Sequence, residues 1–120
     1  MTMNGVIEYV DGVKPNVFTD DDKYRWINTL EGLISVEVLD MEEPMVYTIP
    51  DDADKELLVK APFDDVYALY VMAQIDFFNR EYNHYNNATD VFKTRLEELK
   101  AWYIRNHAHG KAENFRNVMG

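Results

Sequence analysis

The sequence predicts an all-α fold, a small helical domain with an antiparallel helical hairpin and one short extended or β excursion. Apolar residues recur at spacings of three and four over residues 20–39, 62–84 and 88–107, the pattern of helices with one buried face. Helix-start signals precede the first two runs, and the break between the second and third is short enough to favour antiparallel neighbours. Only Met45-Val46-Tyr47-Thr48-Ile49 alternates in the manner of a strand.

Taken in order, residues 4–11 read as a short helix with Val6, Ile7 and Val10 on one side, broken by Gly12 and Pro15. Thr19 is placed to cap a second helix, Asp20, Asp21 and Asp22 suit its positive end, and Phe18 is set to staple onto its first turn. That helix carries Trp26, Ile27, Leu30, Leu33, Ile34 and Val38, with Gly32 marking a close contact. Residues 41–61 read as a long connection, interrupted by Pro44 and Pro50 and anchored by Leu57-Leu58-Val59; its β-like segment would pair within a small hairpin or with another subunit. Pro62 suits the first turn of the next helix, which is apolar over so much of its circumference that it needs cover on more than one side, from this chain or from neighbouring copies. Asn83-His84-Tyr85-Asn86-Asn87 is the expected turn, because asparagine tolerates left-handed backbone geometry. The last helix then starts near Thr89, and residues 111–120 form a tail or docking arm. The expected core is Trp26, Leu30, Ile34, Leu69, Ala73, Phe77, Phe92, Leu96 and Leu99.

Composition narrows the function. One domain spanning residues 1–120 is expected, and the 47% hydrophobic content is ample for a core. A formal charge of -10 disfavours sequence-independent attraction to phosphate, so direct nucleic-acid binding is not expected. The absence of cysteine removes disulfides, thiolate metal sites and thiol nucleophiles. No basic leader and no apolar run of membrane-spanning length is visible, so no membrane partner is expected and synthesis and use are placed in the cytoplasm.

The chemistry-bearing clusters read as structural. Asp51, Asp52 and Asp54 lack the glycine and distal glutamate of a calcium loop, and His107 and His109 fall on different helix faces. His84 reads as a capping or surface histidine. Asp76, Asn79, Arg80 and Asn83 lie near one helix face with Asn86 and Asn87 beyond, as a polar network, a solvated stripe or a row of contacts between subunits. With no nucleophile–base–orienter set and no phosphate loop, the reading is non-enzymatic, with no catalytic, cofactor or metal site. Tyr47, Tyr67, Tyr82, Tyr85, Trp102, Tyr103 and Phe115 are the candidate interface residues, because aromatic side chains bury large areas at low entropic cost.

Three groups of residues, in order, carry a resemblance. They are Pro15-Asn16-Val17-Phe18 with Lys23, Trp26-Ile27-Asn28 and Glu31-Gly32; Glu56-Leu57-Leu58-Val59 with Ala61-Pro62-Phe63-Asp64; and Tyr70, Ala73, Ile75-Asp76, Asn79, Glu81-Tyr82, Tyr85-Asn86-Asn87, Phe92 and Trp102-Tyr103. Over residues 5–107 the chain thus resembles small structural proteins encoded in prophages of Gram-positive bacteria, in the morphogenesis region near the capsid gene. Lys93 stands where that pattern often has asparagine. These proteins are similar in size and helical character to head–tail connector or adaptor proteins, which form rings beneath the portal. The resemblance implies a virion neck subunit, synthesised in the bacterial host cytoplasm, whose partners are copies of itself and the portal or other neck proteins. It implies no catalytic residues and no cofactor. A second class stays open: an acidic binding module or regulator of a mobile element, using the negative charge to block a basic host partner.

Overall fold

The computed structural model describes residues 1–119, with side chains described as far as His107. It is all-helical: α1 spans Met3–Val13, α2 Asp20–Glu37, α3 Asp65–Phe78 and α4 Tyr82–Met119. The expected tail 111–120, with Phe115, lies outside the residues whose side chains are described.

Local chemistry sets the helix ends. Thr2 caps α1 by accepting the Gly5 N–H at 3.0 Å, and Thr19 caps α2 by accepting the Asp22 N–H at 3.2 Å. Phe18 does not close as a simple staple; its ring packs edge-on against Trp26 at 5.4 Å and Phe78 at 6.3 Å, joining α2 to the far end of α3. α1 is longer than expected and runs through Gly12, burying Met3, Val6, Ile7 and Val10.

Two boundaries differ from the sequence reading. α3 begins at Asp65 rather than at Pro62, since residues 61–64 form tight turns closed by Phe63 N–H to Lys60 and Val66 N–H to Phe63. The turn after α3 lies at residues 79–81, not at 83–87. Arg80 adopts the left-handed conformation, φ 61°, and its N–H bonds the Phe77 carbonyl while the Glu81 N–H bonds the Asp76 carbonyl. This pair of bonds closes the helix as in a Schellman motif, with arginine where glycine is usual. Asn83, Asn86 and Asn87 are therefore helical. Packing outweighs their turn propensity: the extra turn of α4 sets Tyr85 against Phe77 at 5.2 Å.

α3 is the central helix. α1, α2 and α4 all pack against it, covering much of its apolar circumference within the chain but leaving Phe77 and Phe78 at its end exposed. Further along, Tyr70 meets Phe92 at 5.3 Å, and Arg95 on α4 reaches Asp65 and the Pro62 carbonyl at 2.7 and 3.0 Å. One hydrophobic cluster runs through the molecule, including Met3, Ile27, Leu30, Ile34, Leu57, Val66, Tyr67, Val71, Ile75 and Leu99. Of the expected core, Leu30, Ile34, Ala73 and Leu99 are buried, while Trp26, Leu69, Phe92 and Leu96 are half-buried at its edge. Phe77 is the exception at 42% exposed, because the helix ends one residue later and leaves its ring among Phe78, Tyr82 and Tyr85.

Residues 45–49 form no strand. Among the described residues the isolated β-bridge is an antiparallel one between Thr2 and Glu56, where residues 53–57 lie against the start of α1. Gly32 does not mark a close helix contact: a methyl group there would meet the Met45 carbonyl and Pro44 of the connection at 3.6 Å, ordinary contact.

Burial predicts unequal losses on truncation. Leu30→Ala removes a fully enclosed side chain and should cost about 2–5 kcal/mol, whereas Phe77→Ala should cost well under the ~3–5 kcal/mol of a core phenylalanine. Urea unfolding of the two variants checks the order; equal losses would place Phe77 in the core after all.

Candidate functional site

Two polar constructions stand out: a buried seam between α2 and the connection, and the exposed turn between α3 and α4.

The seam follows from three polar residues on one face of α2. Asn28, Glu31 and Ser35 recur at spacings of three and four, so they point the same way, toward residues 45–59. The Asn28 amide donates to the Tyr47 carbonyl at 2.9 Å and accepts the Tyr47 N–H at 3.0 Å, taking the place of a neighbouring strand. Ser35 Oγ accepts the Met45 N–H at 2.9 Å. The Met45 N–H and both backbone groups of Tyr47 are thus satisfied by helix side chains rather than by a neighbouring strand.

Glu31 is the centre of the seam and is fully buried. One carboxylate oxygen accepts the Tyr47 hydroxyl and the Leu58 N–H, both at 2.8 Å; the other accepts the Tyr67 hydroxyl at 2.6 Å. Tyr67 in turn accepts the Val59 N–H at 2.9 Å. Among the described residues no cation pairs with Glu31, so neutral donors alone replace its water shell. Burial, reinforced by the hydrogen bond to Glu31 and its charge, pushes the Tyr47 hydroxyl far above the usual tyrosine range. Tyr67 moves the same way, through burial first and then the Glu31 charge and hydrogen bond.

These contacts decide the fate of the candidate interface residues. Tyr47 and Tyr67, expected at a contact surface, are instead buried inside the chain by their bonds to Glu31. Tyr103 is half-buried, its hydroxyl donating to the Leu39 carbonyl at 3.0 Å, and Tyr85 is half-buried on Phe77. Trp102 lies half-exposed against Phe63 at 5.5 Å, and Tyr82 is 55% exposed. Asn28, Glu31 and Ser35 were not singled out as a unit by sequence reasoning, although polar residues interrupting the Ile27, Leu30 and Ile34 stripe were the available signal.

The exposed turn gathers Asn79, Arg80, Glu81, Tyr82, Asn83 and His84 on the surface, with Asn86 and Asn87 one helical turn on. Asp76 is different: it is 3% exposed, and its Oδ1 lies 2.6 Å from Lys14 Nζ on the segment after α1. That pair joins the start of the chain to the end of α3. Of the acids of the connection, Asp52 is engaged by the Thr48 N–H at 2.7 Å and by Lys55 at 2.9 Å, and Asp54 by Asn4 of α1 at 2.7 Å. His107 stacks on Tyr103 within α4, and His109 lies outside the described side chains.

An open groove of about 550 Å³ lies beside the seam, walled by Leu33, Val36, Pro44, Met45 and Val46. Across Leu33, a second hollow of about 240 Å³ runs between α2 and α4 to Phe92 and Leu96. Leu33 is 52% exposed and Val46 72%, so the ridge between the two hollows is apolar and open to solvent. Among the described residues no helix is long and apolar enough to cross a membrane.

The seam predicts an order among conservative variants. Tyr47→Phe removes one hydrogen bond to a carboxylate and should cost about 1.5–3 kcal/mol; Tyr67→Phe should cost more, because the Val59 N–H is also left without an acceptor. Denaturant titration of both checks the order. The pH dependence follows with a definite sign. The folded tyrosines ionise later than unfolded ones, so their contribution is complete below about pH 10 and is lost as pH rises beyond it. Urea midpoints measured across that range should fall with pH, and the fall should be shallower in Tyr67→Phe.

Compared with protein-family models, with curated proteins and with solved structures, the chain finds no match.

Proposed function

We propose that this protein is a non-enzymatic subunit of a phage neck, a head–tail connector that assembles with copies of itself beneath the portal. The observation that carries this reading is the exposed aromatic end of α3 and α4. Phe77, Phe78 and Tyr82 crowd there around the Arg80 turn, flanked by Asn79, Asn86 and Asn87, and although Phe78 also packs on Phe18 and Trp26 and Phe77 on Tyr85, the three rings remain 42–55% exposed. Asn79, Tyr82, Asn86 and Asn87 also belong to the residues through which the chain resembles prophage structural proteins. Exposed aromatics clustered with amides suit a protein contact, since each offers a large apolar face and the amides satisfy the rim.

The seam gives the connection a role in the same reading. Because α2 side chains hold residues 45–59 in place, Val46 is presented at the surface beside Leu33 as a fixed apolar ridge. An aromatic turn at one place and an apolar ridge at another are two different patches, as head-to-tail contacts in a ring require. Free protein remains monomeric in this reading, with the portal supplying the template.

Affinity purification of tagged protein from induced lysogen particles, followed by microscopy of the neck, is the deciding experiment. Tyr82→Ser and Val46→Lys should leave the melting temperature close to that of the parent yet reduce incorporation into particles. Absence of the protein from mature virions, with tight binding instead to a basic host regulator or nuclease, would replace this reading with the acidic binding module.

A further inference from the structure

Three metal-ligating side chains meet at the turn between α3 and α4. Asp76, Glu81 and His84 each place one ligand atom so that all three atoms lie within 4.8 Å of one another. The backbone fixes their spacing: the Glu81 N–H bonds the Asp76 carbonyl at 2.9 Å across the Arg80 turn, and the Tyr85 N–H bonds Glu81 at 2.8 Å to open α4. Glu81 and His84, three residues apart, then face the same side of that first turn.

The state of Asp76 points independently to a ligand. Its side chain is almost wholly buried, yet Oδ1 receives no hydrogen bond. Lys14 Nζ pairs with Oδ1 at 2.6 Å, so the charge has a partner, but no hydrogen bond from the backbone or from another side chain reaches that oxygen. A buried carboxylate is costly unless it is both paired and hydrogen-bonded or bound to a metal. Glu31, equally buried in the same molecule, takes three hydrogen bonds.

We propose that Asp76, Glu81 and His84 form a binding site for a divalent transition metal, with zinc the best fit. Two carboxylates and one imidazole are a mixed oxygen–nitrogen set suited to zinc, whereas calcium and magnesium favour oxygen alone. Ligand atoms converging on an ion at about 2.0–2.2 Å must sit somewhat closer than 4.8 Å, and the exposed Glu81 and His84 side chains have the freedom to close that gap. Three protein ligands leave a fourth position for water or for a donor from a partner. Lys14 is the competing cation. Its side chain is 29% exposed and long enough to withdraw its ammonium toward solvent when a metal takes over the charge of Asp76.

The test is calorimetry of the full chain with zinc chloride near neutral pH, beside thermal melts with and without zinc. One zinc per chain should bind and raise the melting temperature. His84→Ala and Glu81→Gln, both at exposed positions, should keep the zinc-free melting temperature and weaken binding by at least about tenfold. His107→Ala should bind as the parent does. Lys14→Met should be less stable without metal, because it leaves Asp76 buried and unpaired, and should bind zinc more tightly than the parent. That last sign separates a metal site from a purely structural turn. No heat and no melting shift at millimolar zinc would overturn the proposal, as would loss of binding in His107→Ala with His84→Ala unaffected. Neither result bears on assembly into virions.

Discussion

The buried carboxylate of Glu31 is the constraint around which the rest of this fold is arranged. A charge that enters the interior loses its hydration, and the loss is tolerable only when fixed donors replace it. Here the donors come from two parts of the chain: Tyr47 and the Leu58 N–H, both in the connection, and Tyr67 on α3. Satisfying one side chain of α2 therefore fixes the path of residues 45–59 and the position of the central helix together. Asn28 and Ser35 extend the same logic along the helix, so the long connection over residues 38–64, which contains no helix or strand, is fastened to α2 at Met45 and Tyr47. A long irregular segment is unusual in a small domain unless something holds it.

This arrangement explains what was legible in the sequence. Helix identity could be read because period and capping act locally: Thr19 does cap α2, and Ile27, Leu30 and Ile34 do face the core. The ends of α3 could not, because they depend on contacts made elsewhere. Pro62 was a sound start signal by its backbone angle, yet its carbonyl is engaged by Arg95 from α4 and the helix opens three residues later. Asparagine's tolerance for left-handed geometry pointed to residues 83–87, but Arg80 takes that conformation, and the energy that decides it is the packing of Tyr85 and Phe92 on α3. The β-like alternation of residues 45–49 led to no strand, and the Met45 and Tyr47 N–H groups found other acceptors. What it could not reveal was that the partner would be helix side chains.

The candidate interface residues show the same limit. A tyrosine has one apolar body and one polar tip, and sequence alone does not say whether the tip meets water, a partner or a buried acceptor. Tyr47 and Tyr67 meet Glu31, Tyr103 meets the Leu39 carbonyl, and Tyr82 meets solvent. Sorting them requires knowing where the acceptors are, and the key acceptor, Glu31, sits in a helix stripe that otherwise reads as apolar.

Two buried carboxylates, Glu31 and Asp76, are stabilised in opposite ways, and the contrast separates scaffold from surface. Glu31 is closed: both oxygens are hydrogen-bonded, no cation among the described residues pairs with it, and the network leads inward, to backbone and core tyrosines. Asp76 is open: one ammonium approaches an oxygen that has no hydrogen bond, and the residues around it, Glu81 and His84, lead outward to the exposed aromatic turn. Polar groups that are fully satisfied give a fold its rigidity, while a group left short of partners keeps a free energy that a ligand can still release. In this chain the group that lacks a hydrogen bond lies beside Tyr82 and the Arg80 turn, at the exposed end of α3.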